Sequence, residues 1–234
     1  MNRVDGRKPE DCRPIEAKSG IIKNADGSGY FKIGKTWAYA AVYGPKEIIP
    51  RFLMKHDTGI LRVNYNMMPF SGQGERVRPG PNRRAKELSM VSGKALAPVL
   101  ELAKFKNTGV EVFIELPQTD AGSRCAGICA ASIALADAGL FMKDMVAAVA
   151  VGRVKDQIVV DLSYEEEADE SGEGAVDVAM AMVPSTEEVT LLQMDGNITK
   201  EELNEAIAMG KEACKKIAEI QRESIRNKYE GDEQ

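Results

Sequence analysis

The order in which hydrophobic periodicities change along the chain constrains its fold more than any other feature. Short runs of alternating apolar residues come first, then a helix, a strand, a second helix, another strand-rich region and a last helix. The predicted strands lie at residues 15–22, 30–33, 36–43, 61–67, 109–116, 145–154, 157–162, 176–183 and 189–194, and the predicted helices at 82–103, at 125–138 and from 199 onward. Sheet followed by helix occurs twice, which is typical of an α+β fold with two similar halves.

We interpret the 234 residues as one domain. Its first half is predicted at 10–150 and its second half at 151–228, with a charged, frayed tail at 229–234. The acidic stretch that interrupts the second strand region is predicted to be a hairpin loop. A capping box of Thr199 and Glu202 indicates where the last helix begins.

Several classes of protein are excluded by composition. No apolar run reaches the length of about 18 residues that a membrane span needs. The polar start, MNRVDGRKPED, lacks an apolar signal-peptide core, so we expect a cytoplasmic protein. His56 is the only histidine, which argues against Ser–His–Asp and Cys–His catalysis unless it acts alone. The four cysteines form no CxxC pair, so we expect no zinc site, and Cys125 and Cys129 are expected to be buried thiols.

Two segments are candidates for binding an anion. Arg83 and Arg84 follow a Pro-Gly-Pro turn at a helix start, where an anionic ligand would relieve the unfavourable placement of positive charge. They could equally be solvated, with Glu87 as a partner. Residues 120–124, Asp-Ala-Gly-Ser-Arg, enter an apolar helix whose free N–H groups would point at an anion. This segment could also be an ordinary helix start.

A third candidate is the carboxylate pair Asp169 and Asp177, at the acidic hairpin. Carboxylates near a phosphodiester can hold Mg²⁺ or donate a proton. Asp177 begins an alternating apolar strand and is therefore expected to be held rigidly, whereas most of the neighbouring glutamates are expected to be solvated. The net charge of −5 argues against general coating of nucleic acid. Together the three candidates indicate a phosphate-binding enzyme that acts on a phosphate-containing polymer.

Colinear segments over nearly the whole chain resemble the catalytic RNase PH-like ring subunits of the archaeal exosome. They are DGRKP at 5–9, KNADGS at 23–28, AAVYGP at 40–45, YNM at 65–67, PF at 69–70, RPGPNRR at 78–84, DAGSR at 120–124, ALADAG at 134–139 and TLLQMDG at 190–196. The resemblance implies the RNase PH-like fold, of the ribosomal protein S5 domain 2-like type. It also implies 3′→5′ degradation of RNA by inorganic phosphate, with release of nucleoside diphosphates and reversal to RNA tailing.

The resemblance also implies roles for residues. Arg83 and Arg84 match arginines that contact the RNA backbone and the attacking phosphate, Gly122, Ser123 and Arg124 match the phosphate-binding loop, and Asp177 matches a metal ligand or general acid. Asp169 corresponds to a second carboxylate, but it is two positions further from Asp177 than in that family. Ser171 stands where the family's spacing would place this second carboxylate, which indicates a two-residue insertion in the hairpin. Glu170 is therefore the alternative candidate for the second carboxylate. Arg62 and the loop residues Arg51, Lys55 and His56 match the channel entrance only weakly.

The implied co-substrate is inorganic phosphate, with Mg²⁺ or Mn²⁺ as the metal. The implied partners are single-stranded RNA, a related inactive RNase PH-like subunit that forms a six-membered ring as a trimer of heterodimers, and cap subunits with S1- and KH-type RNA-binding domains. Two alternatives stay open: a stand-alone RNase PH that trims tRNA 3′ ends, and a non-catalytic ring scaffold that binds RNA. The joint presence of the arginines, Ser123 and Asp177 favours the catalytic subunit.

Overall fold

The computed structural model describes residues 3–73, 76–80, 82–168 and 174–231. These residues form two β-sheets. The first sheet contains β1 (Ile15–Ser19), β2 (Gly27–Ile33), β3 (Thr36–Glu47), β4 (Ile60–Met67) and β5 (Thr108–Gln118), in the order β1-β2-β3-β5-β4. The second contains β6 (Ala147–Val154), β7 (Gln157–Val160), β8 (Val176–Val183) and β9 (Glu188–Asp195), in the order β7-β6-β8-β9. The predicted division near residue 150 falls inside β6, which belongs wholly to the second sheet.

The helices are α1 (Arg83–Leu96), α2 (Ser123–Asp137), α3 (Tyr164–Glu167) and α4 (Lys200–Gly231). Short 3₁₀ turns occupy Arg51–Leu53, Ala97–Val99 and Leu102–Lys104. Both α2 and α4 contact strands of both sheets, so one hydrophobic core runs through the two halves. None of the helices in the described ranges is long and apolar enough to cross a membrane.

The predicted meander of β1, β2 and β3 is confirmed, because each of these strands pairs antiparallel with the next. β4 and β5 instead pair in parallel, with α1 as the crossover between them. Parallel neighbours need such a crossover, since the chain must return to the same end of the sheet. This connection brings the end of β4 close to the end of β5, where the predicted anion-binding segment begins.

α1 is shorter than the predicted helix over 82–103. Asn82 caps its start, because the Asn82 side chain accepts a hydrogen bond of 2.7 Å from the Ala85 N–H. The α-helix ends at Leu96, and the chain continues as a 3₁₀ turn that contains Pro98. Proline lacks an N–H donor and its ring clashes with the carbonyl one turn earlier, which ends the regular helix.

α2 is packed on nearly all sides, as its small residues predict. All but three of its residues are buried, including Cys125 and Cys129, which are free thiols as expected. Close approach of β2 explains the glycines in that strand: a Cβ added at Gly29 would lie 2.3 Å from the Ala130 carbonyl oxygen. Glycine therefore lets the strand lie directly on the helix backbone.

Two predictions about the second half need correction. Part of the acidic stretch is not a loop but α3, which begins with a capping box of Ser163 and Glu166. Residues 169–173 lie outside the described residues. The predicted box of Thr199 and Glu202 is confirmed, with Glu202 N–H donating to Thr199 Oγ1 at 3.3 Å. The helix that it starts continues to Gly231, beyond the point at which fraying is predicted.

Gly29→Ala is expected to lower the free energy of unfolding by about 1–3 kcal/mol, the usual cost of overpacking a close contact. Gly93→Ala is the matched control, because its Cβ would come no closer than 3.6 Å to its nearest neighbour, the Val63 side chain. Replacing that helical glycine should stabilise the protein by about 0.5–1 kcal/mol. Urea unfolding of both variants checks this, and equal effects of the two substitutions would contradict the packing of β2 on α2.

Candidate active site

A cleft of about 250 Å³ opens between the two halves of the protein. Elements of both sheets contribute to its wall, together with the ends of α1, α2 and α3. The lining residues that carry functional groups are Gln73, Arg84, Thr119, Ser123, Arg124, Tyr164, Glu167 and Asp177, and the backbone of Ala121 and Gly122 completes the wall. The structure therefore brings together one or more residues of each predicted candidate: Arg84, the turn at 121–124, and Asp177.

The predicted anion-binding segment forms a turn with left-handed backbone conformation at Ala121 (φ 57°) and Gly122 (φ 60°). Thr36 holds this turn from β3, since its Oγ1 accepts from the Asp120 N–H and its hydroxyl donates to the Ala121 carbonyl, each at 2.8 Å. Gly122 is the N-cap of α2 and has no side chain to accept from the first-turn N–H groups. These donors and the positive end of the helix dipole thus face the cleft, which is an arrangement suited to an anion.

A buried arginine fixes this turn to the second half of the protein. Arg13 donates from Nε and Nη2 to the two carboxylate oxygens of Asp161, at 2.8 and 2.7 Å. Its Nη1 donates to Asp120 Oδ2 at 3.1 Å and also to the Asp120 backbone carbonyl. Arg3 makes a similar buried pair with Glu166 of α3, with Nη2 donating to Oε2 at 2.7 Å. The N-terminal segment therefore ties together the anion-binding turn, the end of β7 and α3.

This network was not among the predicted features of the site. The residues that Arg13 joins lie 107 and 148 positions away along the chain, so no local pattern reveals their contact. The only available signal was the concentration of arginines in the segment before β1.

The predicted arginines separate into two groups. Arg84 extends from the first turn of α1 to the cleft, and Arg124 lies at the start of α2, where its Nη1 donates to Gln193 Oε1 at 2.9 Å. Arg83 is exposed and does not line the cleft. Arg51 is exposed and pairs with Glu47, and Arg62 pairs with Glu111 near the opposite end of β4. Arg62 precedes Met67, which lines the cleft, by roughly 16 Å along the strand.

Asp177 is the predicted carboxylate that the structure places in the cleft. It lies at the start of β8, opposite Gly152 on β6 and Asp195 on β9. Burial raises the pKa of Asp177, and the charge of Asp195 acts in the same direction, while Arg124 and Arg84 oppose both. Asp177 is therefore a rigid carboxylate that takes up a proton more readily than an exposed aspartate does.

Glu167 is a second carboxylate in the cleft, and it was not among the predicted site residues. Its side chain is exposed at the rim, yet desolvation by the surrounding protein raises its pKa, and the negative charge of Asp177 raises it further. The Ser163–Glu166 capping box was the signal that could have placed a helix here, with Glu167 immediately after it. The predicted Asp169 and its competitor Glu170 lie outside the described residues, so their predicted role stays a prediction.

The described side chains of the cleft do not by themselves form a complete metal site. Within the described ranges there is no group of three or more His, Cys, Asp or Glu side chains that could hold a metal ion. Asp177 and Glu167 nevertheless fit the way in which Mg²⁺ is usually bound, by one or two carboxylates together with phosphate oxygens of the substrate.

The fold and the cleft define a two-sheet α+β protein that presents arginines and a helix N-terminus beside two carboxylates. Comparison with known proteins agrees: residues 11–140 match domain 1 of the 3′ exoribonuclease family, and residues 144–213 match domain 2. The chain belongs to this family, the RNase PH family. The predicted resemblance and the predicted fold class are thereby confirmed.

Similar proteins include exosome components from archaea. The chain is 46% identical over 230 residues to the exosome complex component Rrp41 of Methanopyrus kandleri, which covers 98% of this chain and 94% of that protein. It is 50% identical over 227 residues to Rrp41 of Thermococcus kodakarensis, with 97% and 89% covered.

Two solved structures share the fold at lower identity. Rice Rrp46 superposes with a TM-score of 0.83 at 23% identity, covering 96% of this chain and 100% of that one. A chain of the Archaeoglobus fulgidus exosome with RNA bound to the active site gives a TM-score of 0.77 at 23% identity, covering 93% and 92%.

Arg13→Met is expected to lower the free energy of unfolding by about 3–5 kcal/mol, because it removes the closest cation from the buried carboxylates of Asp120 and Asp161 and leaves Asp161 only the 3.3 Å contact with Arg7. Arg51→Met removes an exposed ion pair with Glu47 and should cost about 0–1 kcal/mol. Guanidinium chloride unfolding of both variants measures the difference. A loss for Arg13→Met no larger than that for Arg51→Met would show that the buried pairs do not hold the halves together.

Asp177→Asn is expected to stabilise the free chain at neutral pH, in the presence of a chelator. The folded-state pKa of Asp177 is raised, so its charged form is disfavoured in the folded protein at a pH above that pKa. The stability gained by this substitution should therefore disappear as the pH falls through the pKa of Asp177 in the folded protein toward its pKa in the unfolded chain.

Asp144→Asn is the control with the opposite sign. Burial acts to raise the pKa of Asp144, but hydrogen bonds from Ser185 and Arg222 prevail and lower it. Its replacement should destabilise the protein at neutral pH, and this loss should vanish at low pH. Thermal unfolding across pH measures both variants, and the same sign for the two would rule out the assigned electrostatics.

Proposed function

We propose that this chain is a catalytic ring subunit of an exosome-type complex and shortens RNA from its 3′ end by phosphorolysis. The observation that supports this most is that Arg84, Ser123 and Asp177 line one cleft with the N-terminus of α2. A scaffold that only binds RNA has no need of an anion-binding turn beside carboxylates of raised pKa. Similarity to archaeal Rrp41 exosome components over 97–98% of this chain supports the same proposal.

Inorganic phosphate is the proposed co-substrate. Its oxygens would accept from the Ser123 hydroxyl and the first-turn N–H groups of α2, with Arg84 and Arg124 offsetting its charge. The turn at Ala121 and Gly122 carries no bulky side chain, so a phosphate can approach the backbone closely. Because Thr36 and Arg13 already fix this turn, little ordering is needed when phosphate binds.

The reaction transfers the terminal nucleotide from RNA to phosphate. An oxygen of inorganic phosphate forms a bond to the phosphorus of the last phosphodiester, and the bond from that phosphorus to the 3′ oxygen of the preceding nucleotide breaks. Asp177 or Glu167, each with a raised pKa, donates a proton to this leaving oxygen. The arginines stabilise the charge on the transferring phosphoryl group. A nucleoside diphosphate leaves, and the reverse reaction adds a nucleotide.

The proposed Mg²⁺ or Mn²⁺ would be held by whichever of Asp177 and Glu167 does not donate the proton, with Asp169 as a further predicted ligand. Such an ion, when bound, would offset negative charge on the phosphoryl oxygens. Arg83, Arg62 and Arg51 are proposed to contact RNA outside the cleft. Contacts to the RNA backbone give affinity without reading the sequence.

A related RNase PH-like subunit is the proposed ring partner, in a trimer of heterodimers capped by subunits with S1- and KH-type domains. One observation supports a partner: β9 is an edge strand, and it exposes the apolar side chains of Val189, Leu192 and Met194. An open apolar edge favours pairing with another chain. The competing stand-alone RNase PH would form its ring from copies of this chain alone, which native mass measurement distinguishes.

The test uses the full chain, alone and co-purified with the related subunit, on single-stranded RNA labelled along its length. Nucleoside diphosphates should appear only when phosphate is supplied. Asp177→Ala and Glu167→Gln should each lower kcat by about 10²-fold or more if their protons or charges act in the reaction. Glu165→Gln, on the same short helix but outside the cleft, is the matched control and should retain full kcat.

Product analysis by mass spectrometry decides among the alternatives. Release of nucleoside monophosphates without added phosphate would mean hydrolysis and would overturn phosphorolysis. RNA binding without any turnover, in both preparations, would favour the scaffold. Normal turnover in Asp177→Ala would remove this carboxylate from the mechanism.

A further inference from the structure

The side chain of Tyr65 lies behind the proposed phosphate site and has no role in the mechanism above. Tyr65 is on β4, two residues before Met67, which lines the cleft. Only 3% of its surface is exposed. Its ring lies against α2 at Gly127, where an added Cβ would come within 3.1 Å of Tyr65 Cε2. The ring therefore occupies space that any other residue at position 127 would fill.

Gly127 and Ser123 are one helical turn apart and so lie on the same face of α2. The Tyr65 ring packs on this face, and its hydroxyl group lies near the Ser123 side chain. Burial raises the pKa of Tyr65 to about 12, while the Ser123 side chain and the charges of Arg84 and Arg124 act in the opposite direction. The hydroxyl is thus surrounded by the residues proposed to bind phosphate.

The Ser123 side chain lowers the pKa of Tyr65 as a hydrogen-bond partner would, yet the two groups do not meet the distance and angle of a normal hydrogen bond, and the hydroxyl has no other partner within the described part of the chain. A buried polar group without a partner is uncommon and costs free energy. An apolar phenylalanine would fill the same space without that cost. In the free protein the oxygen atom of Tyr65 thus lacks a well-formed hydrogen bond, which points to a use that arises when the cleft is occupied.

We infer that Tyr65 is a positioning residue for phosphate and acts through Ser123. When phosphate binds, the Tyr65 hydroxyl donates to Ser123 Oγ, and the proton of Ser123 is thereby directed into the cleft toward a phosphate oxygen. The free Tyr65 hydroxyl and the small residue Gly127 allow this adjustment without movement of the backbone. This inference rests on the proposed function, because it assigns a partner to the same phosphate site.

Tyr65→Phe tests the inference because it removes only the oxygen atom. The KM for phosphate should rise about 3- to 10-fold, as expected for the loss of one hydrogen bond, while kcat changes less than twofold. The free variant should be as stable as the parent protein or more stable, because the lost hydroxyl had no partner. Tyr43→Phe is the matched control, a strand tyrosine of the same sheet outside the cleft, and should change neither quantity.

A double-mutant cycle shows whether Tyr65 acts through Ser123. In the Ser123→Ala background, Tyr65→Phe should have no further effect on KM. Additive effects of the two substitutions would overturn the inference, and so would an unchanged KM in Tyr65→Phe. A variant that loses stability and kcat together would show that the hydroxyl is structural.

Direct binding separates this inference from the proposed function. Equilibrium dialysis with radiolabelled inorganic phosphate measures affinity without RNA. If the parent protein binds phosphate but does not cleave RNA, the proposed function fails, and the weaker binding expected of Tyr65→Phe still tests the inference. If both proteins bind phosphate equally, the inference fails whatever the activity of the parent protein.

Discussion

The guanidinium group of Arg13 is the interaction on which the rest of the site depends. It lies between Asp120, which begins the anion-binding turn, and Asp161, at the end of β7 in the second half. The cleft exists only where these two halves meet, so its shape requires that they dock in one way. A buried ion pair contributes little net stability compared with apolar packing. A charged group that stays buried after its partner moves away nevertheless destabilises the folded protein strongly. Arg13 therefore restricts the halves to the arrangement in which all three groups meet.

This arrangement brings two arginines and two carboxylates into one cleft, and among the described residues no ion pair joins them. Arg84 and Arg124 face Asp177 and Glu167 across the cleft, and the pKa of each carboxylate is raised. The raised pKa values mean that the arginines do not fully compensate the cost of burying these carboxylates. The N-terminus of α2 adds positive potential because its N-cap is a glycine rather than an acidic residue. The cleft is therefore suited to an anionic ligand that contacts the arginines and this helix end.

The parts of this site that sequence analysis found are those encoded locally. The turn at 120–124 and the strand that begins near Asp177 each have a pattern within a few residues. Arg13 and Tyr65 could not be found in this way, because their roles arise from contacts with segments far along the chain. Glu167 was missed for another reason: the acidic run was interpreted as a solvated loop, although its capping box starts a helix. The end of α1 was placed too late because the apolar periodicity continues past Pro98.

The overall net charge of −5 fits the proposed function, in which only a few arginines contact RNA. A protein that coats nucleic acid neutralises many phosphates and binds with a steep dependence on salt. Here Arg3, Arg7 and Arg13 are already paired with carboxylates inside the protein and are not available for phosphate. Under the proposed function, RNA binding therefore depends on Arg84 and Arg124 at the cleft and on the arginines proposed at its approach. A small number of backbone contacts gives a shallower dependence on salt than a coating protein shows.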